Sequence, residues 1–334
     1  GSTWPPRWGW HDGRQTGLRA VTAIGPGTTG ICWEELRRHL GRASVSHVFP
    51  MRRFHLVLLL SLATVLPLVG RVEPSPAQRE LQSIVTRQQR LMAEAVQKED
   101  GPTFDAENFR TKMQEIAFDY EAYIAKYPDT AAGYAAYGYF LSKIDPLPKQ
   151  TVVMLLKANQ LDPNLPLVKN QLGKYLAEEG KPLEAVNYFI AATSLDPEEP
   201  LYHYQLGQLL AAARDDFLKS GNWTRPQLDK AMHEAFRRAA ELAPQRIEFT
   251  YRYAESFYDL ETPDWDGALK QWQALEEKAK PGVEQQVIRL HRANVLIQQG
   301  KPAEAQALLA TVTESTLTQQ KEKLVAQLPA SSAK

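Results

Sequence analysis

The chain has 334 residues, 43% aliphatic or aromatic and 23% charged, which excludes global disorder, collagen-like sequence and a polytopic membrane protein. Its formal net charge of zero hides an asymmetry: residues 1–77 hold 9 basic and 4 acidic residues, and residues 78–334 hold 30 basic and 35 acidic. A mildly acidic body without a basic stripe argues against nucleic acid, whose phosphates demand clustered Lys and Arg, and against docking on an anionic membrane surface.

Residues 1–50 differ from the rest: they hold 4 of the 7 Trp, 8 of the 19 Gly and no Lys. Two readings fit them, translated sequence upstream of the true start or a disordered arm. Cys32, the single cysteine, lies here, so an intrachain disulfide is impossible and a cysteine-built zinc site is excluded.

Met51-Arg52-Arg53-Phe54-His55 leads into the apolar run Leu56 to Val69. A short basic region, an apolar core and a polar, Pro-containing segment form the layout of a secretory signal over residues 51–77. At 1.5 Å per residue the run spans about 21 Å, short of the roughly 30 Å hydrocarbon core, and Pro67 interrupts it. Ser75-Pro76-Ala77 offers small residues for cleavage before Gln78, and cleavage after Gly70 is a second option. A competing reading keeps residues 56–69 as an uncleaved inner-membrane anchor. Either way the body is expected to be exported, as a periplasmic or secreted protein.

Leu81, Ile84, Val85, Leu91, Met92 and Val96 share one helical face, and with Phe109 to Tyr127 they predict an N-terminal cap over residues 78–128. From 129 to 310 the chain repeats itself. Pro128, Pro163, Pro197, Pro244 and Pro281 each close an apolar helical segment, at separations of 35, 34, 47 and 37 residues. Before Pro197 come Leu172-Gly173, Leu176, Gly180-Lys181-Pro182, Ala185, Phe189 and Ala192. That order predicts a helix, a tight turn and a second helix. Gly173 and Ala185 are small where the axes approach, and Phe189 is the bulky knob beside them. Gly180 suits a left-handed helix end, and Pro182 suits the first turn of the next helix.

Leu172, Gly173, Ala185, Phe189, Ala192 and Pro197 stand at the spacing of the tetratricopeptide repeat, and the chain resembles that family over roughly 105–310. The resemblance implies an all-α fold, a right-handed superhelical solenoid of antiparallel helix pairs, and a role in binding other proteins. Further units follow in phase. One is Tyr137-Gly138, Leu141, Leu155, Ala158 and Pro163; another is Leu206-Gly207, Leu210, Phe236, Ala239 and Pro244, with an insertion near 213–227. A looser one has Tyr253-Ala254, Phe257, Ala268, Trp272, Leu275 and Pro281. A last has Ala293, Leu296, Gly300-Lys301-Pro302, Ala305 and Leu309. The family's bulky residue early in the first helix is replaced by Lys169, His203 and Thr250. Residues 311–334 are more polar and predict a C-terminal cap and a frayed tail.

No catalytic constellation is found. His203, His233 and His291, the histidines of the body, read as surface or helix-packing residues, and His233-Glu234 lacks the second His of a zinc-protease helix. Asp264-Trp265-Asp266-Gly267 lacks the ligand run of a calcium loop and reads as a helix N-cap. Asn222-Trp223-Thr224 fits a glycosylation sequon, which matters only in a eukaryotic secretory pathway. No enzyme, no cofactor and no metal are expected.

In such a stack the first helix of each pair lines the concave face. One-turn spacing selects Ala135 and Tyr139, Asn170 and Lys174, Tyr204 and Gln208, Tyr251 and Glu255, then Tyr258 and Asn294. One reading makes these a groove for an extended peptide or helix, with Tyr anchors and amide donors. The other has some of the Tyr packing between units. Carboxylate capture resting on Asn170 and Lys174 is not expected, because Glu255 repels it further along. The expected function is an exported scaffold binding a protein or peptide partner. The alternatives are an accessory subunit presenting substrate to a separate envelope enzyme, and a self-assembling protein formed by homo-oligomerisation. Deleting the insertion is expected to spare folding and, if it forms part of the site, to alter partner choice.

Overall fold

The computed structural model describes residues 73–98, 105–144 and 149–329. The expectations for residues 1–50, for the apolar run 56–69 and for the tail 330–334 lie outside the described residues.

Helix α1 (Pro76–Lys98) starts two residues before the body boundary set by the sequence. Its start is fixed reciprocally: the Gln78 N–H donates to Ser75 Oγ at 3.2 Å, and the Ser75 N–H donates to Gln78 Oε1 at 2.8 Å. Such a capping box satisfies N–H groups that have no partner inside the helix. Helix α2 (Ala106–Lys126) is capped by Asp105 and packs against α1. Ile84, Val85 and Leu91 meet Met113, Ile116, Tyr120 and Tyr123 there, and Tyr120 donates to Gln88 Oε1 at 2.6 Å.

Antiparallel pairs follow. They are α3 (Ala131–Ile144) with α4 (Lys149–Leu161), and α5 (Pro166–Glu178) with α6 (Pro182–Leu195). Next comes α7 (Pro200–Ala212), the short α8 (Arg214–Lys219), and α9 (Arg225–Leu242), which returns along α7. The last pairs are α10 (Ile247–Ser256) with α11 (Trp265–Lys278), and α12 (Val283–Gln298) with α13 (Pro302–Ala310). Helix α14 (Thr318–Val325) folds back on α12, burying Leu324 and Leu317. The buried side chains fall into successive clusters along the stack, as expected where each unit contacts only its neighbours.

The predicted glycine–knob pairing is present. A Cβ at Gly173 would stand 3.1 Å from the Phe189 ring, and one at Gly207 only 2.8 Å from the Phe236 ring. Gly180 and Gly300 adopt φ of 73° and 71°, where a Cβ is disfavoured. Lys181 N–H donates to the Leu176 carbonyl at 2.8 Å and Lys301 N–H to Leu296 at 2.9 Å, so the two similar hexapeptides end their helices with one geometry.

The insertion is not a separable loop, which corrects the expectation that its deletion spares folding. Phe217 of α8 is wholly buried among Leu228, Met232 and Phe236, and Trp223 meets its edge at 5.8 Å. Arg214 and Arg225 both donate to the Asp259 carbonyl, at 3.0 and 2.8 Å. Asp229 binds Arg225 Nε and the Glu261 N–H, both at 2.7 Å. The inserted residues therefore close the core of their own unit and bolt it to the next.

Candidate partner-binding face

The face is built by the first helices of the pairs. Helices α3 and α5 touch directly, as do α5 and α7. Along this side residues three or four apart return to the same line, so the sequence spacing places the ten candidate residues as a row. The structure divides that row into two parts of different character.

The C-terminal part is taken up by contacts between units. The Tyr204 ring lies tilted against Phe249 at 4.8 Å and edge-to-face with Phe236 at 6.0 Å, and Gln208 Nε2 donates to its hydroxyl at 3.2 Å. Gln208 Oε1 accepts from Arg252 Nε at 3.2 Å, and Arg252 NH2 reaches Asp259 at 2.8 Å. Both ends of the Gln208 amide are thus engaged. The Tyr251 hydroxyl meets His291 Nε2 at 2.8 Å, and Tyr258 donates to the His291 carbonyl at 3.2 Å. His291 lies flat on Trp272, 3.9 Å between centroids. Glu255 is half-buried within electrostatic reach of Tyr258. These tyrosines follow the packing reading.

Two residues expected at the surface are enclosed. Asn294 is 8% exposed beside the Tyr258 hydroxyl. Asn170 is 0% exposed, because α5 has a first helix against it on either side. Neither atom of the Asn170 amide has a hydrogen-bond partner. That is costly, since a buried polar group without a partner keeps its full desolvation penalty.

The N-terminal part stays available. Tyr139 on α3 and Lys174 on α5 are half-buried, and Ala135 is buried. Lys143, which the sequence reading passed over, follows Tyr139 by one turn and holds its ammonium 4.8 Å from the Tyr139 ring. The i, i+4 spacing from Tyr139 was the signal for it. Lys143 is exposed, yet desolvation by its surroundings and then the like charge of Lys174 hold its ammonium below the ordinary lysine value. Lys174 has a 3.5 Å contact with Glu178 on its own helix. At the edge, Glu199 accepts from the Leu201 N–H at 3.1 Å. Burial raises its pKa, the Leu201 bond lowers it, Asp196 raises it and Arg246 lowers it.

Among the described residues no group of three or more His, Cys, Asp or Glu is placed to hold a metal ion, and no helix is long and apolar enough to cross a membrane. What the face offers chemically is the aromatic surface of Tyr139 and the ammonium groups of Lys143 and Lys174; the unsatisfied Asn170 amide is enclosed.

No family model matches the sequence, and no curated protein matches it. Solved structures do resemble the fold. YrrB, described as a TPR protein with an unusual peptide-binding site, is 18% identical with a TM-score of 0.48, covering 64% of this chain and 93% of its own. PilF of Pseudomonas aeruginosa is 13% identical with a TM-score of 0.49, covering 76% of this chain and 100% of its own. PilW, described as a widely conserved type IV pilus biogenesis factor, is 15% identical with a TM-score of 0.45, covering 74% and 99%.

Proposed function

We propose that this chain is an exported, non-enzymatic scaffold that holds a segment of another protein on the face lined by α3, α5 and α7. The observation that carries the reading is the division of that face. Its C-terminal tyrosines are used between units, while Tyr139, Lys143 and Lys174 form no hydrogen bond or ion pair with another unit among the described residues. Aromatic and cationic side chains left at the surface of a rigid stack suit an interface.

Export rests on the layout of residues 51–77, and the α1 cap bears on how the signal is removed. Cleavage before Gln78 would take away Ser75 and with it the capping box, whereas cleavage after Gly70 leaves α1 whole. Cleavage after Gly70, giving a periplasmic or secreted protein, is therefore the favoured form of this reading.

A photoreactive residue at Tyr139 in the full chain, expressed in its native host, tests the binding face. The expected result is a discrete crosslinked partner from Tyr139 and none from Ile190, which is 41% exposed on α6. Crosslinking from Ile190 alone would overturn the reading. A second reading, self-association, is favoured by exposed Val153, Leu156 and Ile190 on α4 and α6. Concentration-dependent sedimentation of the full chain decides for it; a constant monomer mass decides against it.

A further inference from the structure

The units of the stack are joined unequally. Between α2 and α3, Tyr137 donates to Glu121 Oε1 at 3.0 Å and its ring lies on Tyr120 at 5.4 Å. Phe189 of α6 shares one buried cluster with Leu210 and Phe236 of the next unit. Arg214 and Arg225 reach the Asp259 carbonyl after α10, and Arg252 of α10 donates to Gln208 of α7. Glu276 of α11 binds Arg289 Nε of α12 at 2.7 Å and also Arg292. The joint between the α3–α4 pair and the α5–α6 pair is different. Among the described residues no side-chain hydrogen bond, ion pair or ring–ring contact crosses it.

That joint is held by the smallest buried cluster among the described residues, Ala135, Leu155 and Ala158 against Val168 and Leu172. Two of these five are alanines, and none offers a directional bond. Polar atoms do lie buried in the same helices: Thr151 Oγ1, Asn159 Oδ1 and both ends of the Asn170 amide, all without a hydrogen-bond partner.

We propose that the stack bends at the α4–α5 joint, with α1–α4 moving as one body against α5–α14. Apolar contact is non-directional, so packed helices slide across it, whereas hydrogen bonds weaken steeply as their angle changes. A bent form that admits water satisfies the orphaned atoms of Thr151, Asn159 and Asn170, which offsets the apolar contact given up. Within each body the polar and aromatic links hold the helices fixed. The hinge crosses the candidate face, because Tyr139 stands on α3 and Lys174 on α5. Bending changes the separation of the two, and a partner touching both favours one setting of the joint. The bending itself needs no partner; its coupling to binding rests on the inner-face reading above.

The test is the distance between paired nitroxide labels at exposed positions of the full chain, read by double electron–electron resonance, with Cys32→Ser to keep labelling specific. Gln114→Cys/Asn187→Cys spans the joint; Gln114→Cys/Gln160→Cys lies within α1–α4, and Asn187→Cys/Gln273→Cys within α5–α14. The expected result is a distance distribution wider by about twofold or more across the joint than within either body. Equal widths for the three pairs would overturn the proposal. Asn170→Leu removes a group that water satisfies in the bent form, and is expected to narrow the joint-spanning distribution toward the other two. An unchanged width in that variant, with helical circular dichroism retained, would overturn the role given to water at Asn170. A saturating peptide, selected on the full chain from a random 12-residue display library, is expected to narrow the same distribution. A bound peptide that leaves it wide contradicts the coupling to the inner face and leaves the bending standing.

Discussion

His291 lies on Trp272 with 3.9 Å between ring centroids and 6° between planes, and the two residues join α12 to α11. His291 is also where Tyr251 and Tyr258 of the preceding segment direct their hydroxyls. One buried ring thus ties together helices of two units. The His291→Phe variant keeps the stack but removes the ring nitrogens that the Tyr251 and Tyr258 hydroxyls meet, and is expected to cost about 1–3 kcal/mol. Urea unfolding of the full chain measures it, and an unchanged midpoint would show that the hydroxyls find other partners.

The insertion is expected to behave as core. Phe217→Ala removes a wholly buried ring from between α7 and α9 and is expected to cost about 3–5 kcal/mol. A loss under about 1 kcal/mol in the same denaturation experiment would mark α8 as an independent loop.

The two glycine–knob contacts rank two substitutions. Alanine at Gly207 meets the Phe236 ring at 2.8 Å, whereas alanine at Gly173 meets the Phe189 ring at 3.1 Å. Overpacking of this kind costs about 1–3 kcal/mol and competes with the roughly 1 kcal/mol that alanine gains over glycine within a helix. Gly207→Ala is therefore expected to be net destabilising and Gly173→Ala close to neutral. The reverse order of melting temperatures would mean that the Phe236 side yields more easily than the Phe189 side.

A component of stability is expected to depend on acid. Burial lowers the His233 pKa below 6.5, with Glu234 and Asp264 raising it and Arg237 lowering it. Its Nδ1 stands 2.8 Å from Ser256 Oγ, which itself donates to the Tyr253 carbonyl at 2.7 Å. A base with a depressed folded-state value is fully compatible with the fold above the unfolded-state value. As pH falls through about 6.5 the unfolded chain takes up the proton first, and stability declines until the folded-state value is passed. His233→Gln is expected to flatten the melting-temperature profile between pH 7 and 5, read by circular dichroism at about one-unit steps. Parallel profiles for the two proteins would contradict this.

The architecture was legible because its signals are local. Proline at the unit ends, Gly173 opposite Phe189 and the Gly-Lys-Pro turns each report a backbone or close-packing need that one short segment reveals. The face was only half legible, since helical spacing says which residues share a line but not whether a neighbouring unit covers them. Tyr204, Tyr251 and Tyr258 have the right spacing yet meet rings from the next unit, Phe249 for the first and His291 for the other two, and Asn170 is enclosed by helices on both sides. Lys143 was missed because a lysine near a helix end reads as solvated surface until its neighbour across the stack is seen. Phe217 was missed because an insertion disrupts the period that would have marked it as core.

The measurement that reaches furthest is the dissociation constant of one library-selected peptide, by fluorescence anisotropy, for three forms of the full chain. These are wild type, the inner-face variant Tyr139→Ala/Lys174→Glu, and the outer-face variant Leu156→Glu/Ile190→Glu. Binding on the face lined by α3, α5 and α7 requires at least a tenfold loss in the inner-face variant, about 1.4 kcal/mol, and wild-type affinity in the outer-face variant. Loss confined to the outer-face variant, with the inner-face variant binding as wild type, would contradict it.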